Sequence, residues 1–153
     1  MSQGQQVQQL IVGDEGSQRP IAYLTQTRNV SGATPPGAAR DTPGILWLQG
    51  FKSEMVSLKA TALAEWTRQQ GLAYTRFDYS GHGSSGGKFV DGTISRWVDE
   101  SLAVLMGHTR GPQILVGSSM GAWVALRMAQ ELKKRGEQDR LAGLLLVAPA
   151  PDF

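Results

Sequence analysis

Gly117-Ser118-Ser119-Met120-Gly121 stands between an apolar run, Ile114-Leu115-Val116, and an amphipathic stretch over residues 122–134. That order reads as strand, sharp turn, helix. A serine at the apex of such a turn is held above the sheet, the arrangement called a nucleophile elbow. The flanking glycines have a steric reason. The turn is strained, and strand and helix come too close for a Cβ at those points. Ala122, Ala125, Leu126, Met128, Ala129 and Leu132 then recur at helical spacing. Ser119 is therefore expected to be the nucleophile of a serine hydrolase. The bland reading of the same residue is an ordinary serine N-cap on a buried helix.

A second G-x-S-x-G match, Gly83-Ser84-Ser85-Gly86-Gly87, lacks that context. Ser85 is followed by Gly86, Gly87, Lys88, Asp91 and Gly92, which do not start a helix at the serine. The same loop spells G-x-G-x-x-G through Gly81, Gly83 and Gly86. A dinucleotide site needs a helix opening at that loop and an acid about twenty positions on at a strand end. Here the helix starts only near Thr93, and the spacing lands inside it. A P-loop fails as well, because Lys88 lacks the glycine spacing before it and Ser or Thr after it. Asp78 is expected to hold this loop by accepting hydrogen bonds from its amides.

Around the elbow, strands and helices alternate. Residues 7–12 and 20–26 read as strands joined by the turn residues Asp14-Glu15-Gly16, a hairpin. Residues 27–44, with three prolines and three glycines, read as a flexible loop. Ile45-Leu46-Trp47-Leu48 is a short strand apolar on both faces. Ser53 is expected to cap a helix with Met55, Leu58, Ala62, Leu63 and Trp66 inward, closed near Gly71. Residues 72–77 form the next strand. Thr93 caps a helix with Ile94, Trp97, Val98, Leu102 and Leu105 inward. Residues 113–116, 119–135 and 141–148 follow as strand, helix and strand. A hairpin followed by β-α-β units implies an α/β protein with a doubly wound, mostly parallel sheet.

The 153 residues suffice for one domain, read here as 1–153, with a real core. A net charge of +2 and a pI near 9.2 are only mildly basic. Lys133-Lys134-Arg135 falls at a helix C-terminus, where the helix dipole favours cations, so no nucleic-acid partner is expected. The absence of cysteine excludes disulfides, a thiolate nucleophile and cysteine metal sites. No apolar run reaches the length of a membrane span. A cytoplasmic location without a membrane partner is the expectation.

Acyl transfer needs two hydrogen-bond donors for the oxyanion. The elbow supplies the Met120 N–H, the residue after the serine. The loop Gln49-Gly50-Phe51-Lys52 is the expected source of the second, with the Phe51 N–H as the donor. The side chains of Phe51 and Met120 would then border an acyl pocket. The serine also needs a base. His82 and His108 are the two histidines. His108 lies between a helix end and a strand start, at the opposite edge of the sheet from Ser119. His82 is at the right edge but on the glycine-rich loop. Asp152 follows the last strand at the right edge. His82 and Asp152 are carried as candidate base and acid.

Residues 46–51, 77–85 and 113–123 together resemble the α/β-hydrolase superfamily. Within it they are most like bacterial relatives of the mitochondrial acyl-protein thioesterase and acyl-glucuronide esterase branch. The resemblance covers roughly residues 42–150. It implies a serine esterase or thioesterase with no cofactor or metal, acting on a small acyl ester or thioester. It carries the nucleophile onto Ser119 and the oxyanion donors onto Phe51 and Met120. It also implies a sheet truncated after the sixth strand, with the triad's acid and histidine expected beyond residue 153. Three readings then stay open: a cut enzyme, one piece of a nicked enzyme, or a catalytically inactive interaction module. Leu144-Leu145-Leu146-Val147 is apolar on both faces, so association with a missing C-terminal segment or a second copy is expected.

Overall fold

The computed structural model describes residues 5–29 and 42–151. Most of the expected loop over 27–44, and Asp152, lie outside the described residues. The chain enters the sheet through an antiparallel hairpin, β1 (Gln8–Val12) and β2 (Arg19–Gln26). The turn between them closes with Ser17 N–H on the Asp14 carbonyl at 2.9 Å. Then come β3 (Gly44–Leu48), α1 (Leu58–Gln69), β4 (Tyr74–Phe77), α2 (Ile94–His108), β5 (Gln113–Ser118), α3 (Met120–Lys134) and β6 (Leu141–Val147). Single 3-10 turns occupy Phe89–Asp91 and Gln138–Arg140.

The strand order is β1-β2-β4-β3-β5-β6, antiparallel from β1 to β4 and parallel from β4 to β6. β4 lies on one side of β3 and β5 on the other, so the winding reverses at β3. In such sheets the crevice for a ligand opens outside the carboxyl ends of the two strands that diverge. Here those ends are Leu48 and Ser118, with Leu48 paired to Gly117 across the β3–β5 ladder.

Helices cover both faces of β3, which explains why all of its residues are buried. Leu46 and Leu48 point to α2 and α3, into a core with Phe77, Leu105, Leu115 and Met128. Ile45 and Trp47 point the other way, to Ala60 of α1 with Tyr74 and Val116. Each fully buried large apolar side chain contributes about 1.5–3 kcal/mol by area. The expected caps hold at two helices. Arg96 N–H bonds the Thr93 hydroxyl at 3.1 Å at the start of α2. Gly71, at φ +67°, ends α1, with Leu72 N–H reaching back to the Thr67 carbonyl at 2.9 Å.

α1 departs from the expectation. It begins at Leu58 with Ser57, rather than Ser53, in the cap position. Long-range bonds fix the intervening segment. Met55 N–H donates to Asp78 Oδ1 at 2.7 Å, and the Met55 carbonyl accepts from Arg76 Nη1 at 2.8 Å. Its side chain is buried against Ala22 and Leu24 instead of riding on a helix. The shifted phase turns Ala60 and Thr67 inward and leaves Trp66 49% exposed, against the expected inward position.

β6 is the far edge strand. It pairs with β5, and its Leu144, Leu145 and Val147 are 38%, 56% and 38% exposed. The apolar edge expected from the sequence is thus open among the described residues.

Candidate active site

Ser119 joins β5 to α3 with φ 55° and ψ −119°. A residue with a Cβ rarely adopts such a backbone, and the strain costs on the order of 1–3 kcal/mol. The surroundings hold it there. Ser119 N–H donates to the Val147 carbonyl at 2.9 Å. Its own carbonyl accepts from Ala122 N–H at 3.0 Å and Ala150 N–H at 3.2 Å. The glycines on either side leave no room for alternatives. A Cβ on Gly121 would run into the Leu48 carbonyl, and one on Gly117 into the Gly121 carbonyl. The serine hydroxyl makes no capping bond to its own helix, so the bland N-cap reading does not describe it.

Met120 opens α3, and the first N–H groups of a helix have no intrahelical acceptor. Its amide is therefore presented beside Ser119. Its side chain is fully buried in the core. The expectation that this side chain borders an acyl pocket is corrected: the core between sheet and helix claims it.

The loop after β3 passes directly over the elbow. A Cβ on Gly50 would stand 3.4 Å from the Ser119 Cβ and 3.3 Å from the Ser118 carbonyl. Phe51 follows, 46% exposed and edge-on to Phe89 at 5.2 Å between ring centres. Lys52 has φ 57°, a second strained non-glycine residue at the site. Its N–H donates to His82 Nε2 at 3.3 Å.

His82 is 5% exposed, packed edge-on to Tyr79, Phe89 and Trp97. Since Nε2 accepts from Lys52, the ring proton sits on Nδ1 and donates to the Ser80 carbonyl at 3.0 Å. Both nitrogens are occupied, which leaves neither for a serine proton. His108, the other histidine, ends α2 and packs on Tyr23 at 4.3 Å between ring centres.

Asp78 organises the glycine-rich loop as expected. Its Oδ2 accepts from Ser84 N–H at 2.9 Å. Its Oδ1 accepts from Met55 N–H and, at 3.4 Å, from Gln49 Nε2. One carboxylate thereby ties this loop to the one carrying Gly50 and Phe51. Burial pushes the carboxyl above the ordinary range, opposed by the Ser84 and Met55 amides. Ser85, the rival serine, donates its hydroxyl to the Asp78 carbonyl at 2.6 Å and accepts Ala22 N–H at 2.8 Å. That hydroxyl is a strand-to-loop bridge. Glu100, fully buried on α2, completes the support. It holds Arg19 Nε at 2.5 Å and Ser80 N–H at 2.8 Å.

An open cleft of about 400 Å³ lies beside Ser119, its wall including Trp47, Gly50, Phe51, Ser57, Lys59 and Ser118. Trp47, Ser57 and Lys59 had not been expected at the site. The misplaced helix start hid Ser57 and Lys59: a cap at Ser53 would have carried both into the second turn. Lys59 Nζ reaches Ser118 Oγ at 3.4 Å.

A strained serine between strand and helix, over the switch point of a largely parallel sheet, defines the α/β-hydrolase class. The chain belongs to the serine aminopeptidase S33 family of that class, which it matches over residues 45–152. It is similar to mouse palmitoyl-protein thioesterase ABHD10, mitochondrial, at 40% identity over 111 residues. That match spans 72% of this chain and 36% of the relative. The human ABHD10 protein is 39% identical over 111 residues, 72% of this chain and 35% of the relative. Among solved structures, a protein of Agrobacterium vitis S4 superposes with a TM-score of 0.85 at 42% identity. That superposition covers 99% of this chain and 55% of its counterpart. Mouse ABHD10 superposes with a TM-score of 0.73 at 31% identity, covering 91% and 48%. The chain is thus an α/β-hydrolase relative of the ABHD10 branch, and it spans about a third of the length of the curated relatives it matches.

Proposed function

We propose that the protein carrying this chain hydrolyses carboxylic esters or thioesters through an acyl-enzyme on Ser119. The observation that carries this reading is the strained backbone of Ser119 at the lip of the cleft. Strain of this kind is kept where a position has a task that an unstrained turn would not perform. In the proposed step, Ser119 Oγ attacks the acyl carbon while a base takes its proton. The oxyanion accepts from the Met120 and Phe51 N–H groups. The bond to the alcohol or thiol breaks and the leaving group takes the proton. Water then attacks the acyl-enzyme and frees the acid and the serine. The base and its acid are placed outside the described residues, because both nitrogens of His82 are engaged.

The relatives' names support the thioester end of this range. An acyl thioester is therefore the first substrate to test on the native protein. Ser119→Ala is expected to lower kcat/KM by about four to six orders of magnitude. Retention of most of the turnover overturns the proposal.

A second reading is favoured by the engaged His82 and by the open β6 edge. The chain by itself would then be a non-catalytic interaction module. Turnover by the isolated chain equal to that of the native protein removes this reading.

A further inference from the structure

The lining of the cleft carries two chemistries. Phe51 and Leu58 are apolar. Polar groups come from the N-terminus of α1, where Ser57 makes no side-chain capping bond and no acid occupies the first turn. The opening amides of this 12-residue helix have no intrahelical acceptor. Together they present partial positive charge to the cleft.

Two side chains add to that field. Lys59 lines the cleft and forms no ion pair among the described residues. Its Nζ contact there is the Ser118 hydroxyl at 3.4 Å. Trp47 lines the cleft from the end of β3 and is 4% exposed. Its indole Nε1–H is buried with no hydrogen-bond acceptor among the described residues. A buried donor left without an acceptor is costly, and native structures supply one. Away from the cleft Trp47 packs in the α1 cluster with Ile45, Ala60, Val116 and Tyr74, whose hydroxyl is turned to the Ala60 carbonyl at 2.9 Å and makes no bond to the indole.

We infer that this polar part of the cleft is a subsite for an anionic oxygen group, a carboxylate or phosphate, carried by the substrate. Its donors are the Trp47 indole N–H, the Lys59 ammonium and the first amides of α1. This rests on the ester or thioester reading and narrows it: the substrate is an acyl compound with a negative charge a short distance from the scissile carbonyl. The subsite selects the substrate and takes no part in bond making.

Two experiments on the native protein test this and separate it from the reading beneath it. The first reads binding without turnover. Proton–nitrogen NMR follows the four tryptophan indole signals, with Trp47 assigned through Trp47→Phe, during titration with glutarate and then with inorganic phosphate. The inference expects a saturable shift of the Trp47 signal. Lys59→Met should raise the midpoint about fivefold, the scale of one partly exposed charge. A Trp47 signal that stays still with both anions overturns the subsite. A shift with one anion alone identifies the group.

The second compares para-nitrophenyl hemiglutarate with para-nitrophenyl pentanoate, acyl groups of equal length that differ in charge. Lys59→Met is expected to lower the hemiglutarate-to-pentanoate ratio of kcat/KM about fivefold. A general structural defect moves both substrates together and leaves the ratio unchanged, which contradicts the inference. If neither ester is turned over by the wild type, the hydrolase reading fails, and the NMR titration still decides the subsite.

Discussion

His82 Nε2 accepts the backbone N–H of Lys52 at 3.3 Å, and Lys52 holds a left-handed backbone at φ 57°. One imidazole thus pins the loop that brings Gly50 and Phe51 over Ser119. The arrangement makes His82 a positioning residue. His82→Ala should lower kcat of the native protein about ten- to a hundredfold, the scale of a small misplacement of the loop that carries Gly50 and Phe51. His82→Gln, whose amide oxygen can accept the Lys52 N–H, should recover part of the loss. The pH–rate profile should keep its shape in both variants. Loss of its acidic limb in His82→Ala would instead make His82 the base.

Ser119 stores strain that a glycine would not feel. Ser119→Gly should therefore be more stable than Ser119→Ala by about 1 kcal/mol in urea unfolding, after allowing for the looser unfolded chain. A glycine variant less stable than the alanine variant contradicts the strained geometry.

Asp78 gives the fold a pH signature. Its carboxyl is held above the ordinary range, chiefly by burial. Between about pH 4 and the raised value, the folded state binds more protons than the unfolded one. The Asp78 contribution is therefore fully present below about pH 4 and is lost as pH rises through the folded value. Asp78→Asn does not titrate. The stability of the wild type relative to this variant should be greatest at the acid end and fall as pH rises. Urea titrations across that range read it, and a difference that grows with pH refutes the assignment.

How much of this was legible in the sequence depended on the distance of each cause. The elbow, the Thr93 cap and the Gly71 stop were legible because the residues that enforce them are neighbours. The start of α1 was not. Met55 is held out of a helix by Asp78 and Arg76, which are 23 and 21 positions away. That error hid Ser57 and Lys59 from the site. The engagement of His82 was also invisible, since Lys52 lies 30 positions off. Met120 was read as a pocket wall, and its side chain lies in the core instead. The sequence marks its place on the helix but not how closely β3 passes over it.

The β6 edge yields a prediction for the chain by itself. With Leu144, Leu145 and Val147 exposed on an edge strand, the isolated chain should self-associate at tens of micromolar, roughly the range where open edges do so. Leu145→Lys places a charge on that edge and should shift light scattering toward monomer. A wild-type chain that is monodisperse and monomeric, with a cooperative melt, contradicts it.

The most direct measurement of the central claim is the site of fluorophosphonate labelling on the native protein, read by mass spectrometry of its peptides. Ser85, whose hydroxyl bridges Asp78 and Ala22, should stay unlabelled, and Ser85→Ala should label as the wild type does. The account predicts a single adduct on Ser119 that is absent from Ser119→Ala. An adduct on Ser85, or labelling that survives Ser119→Ala, would contradict it.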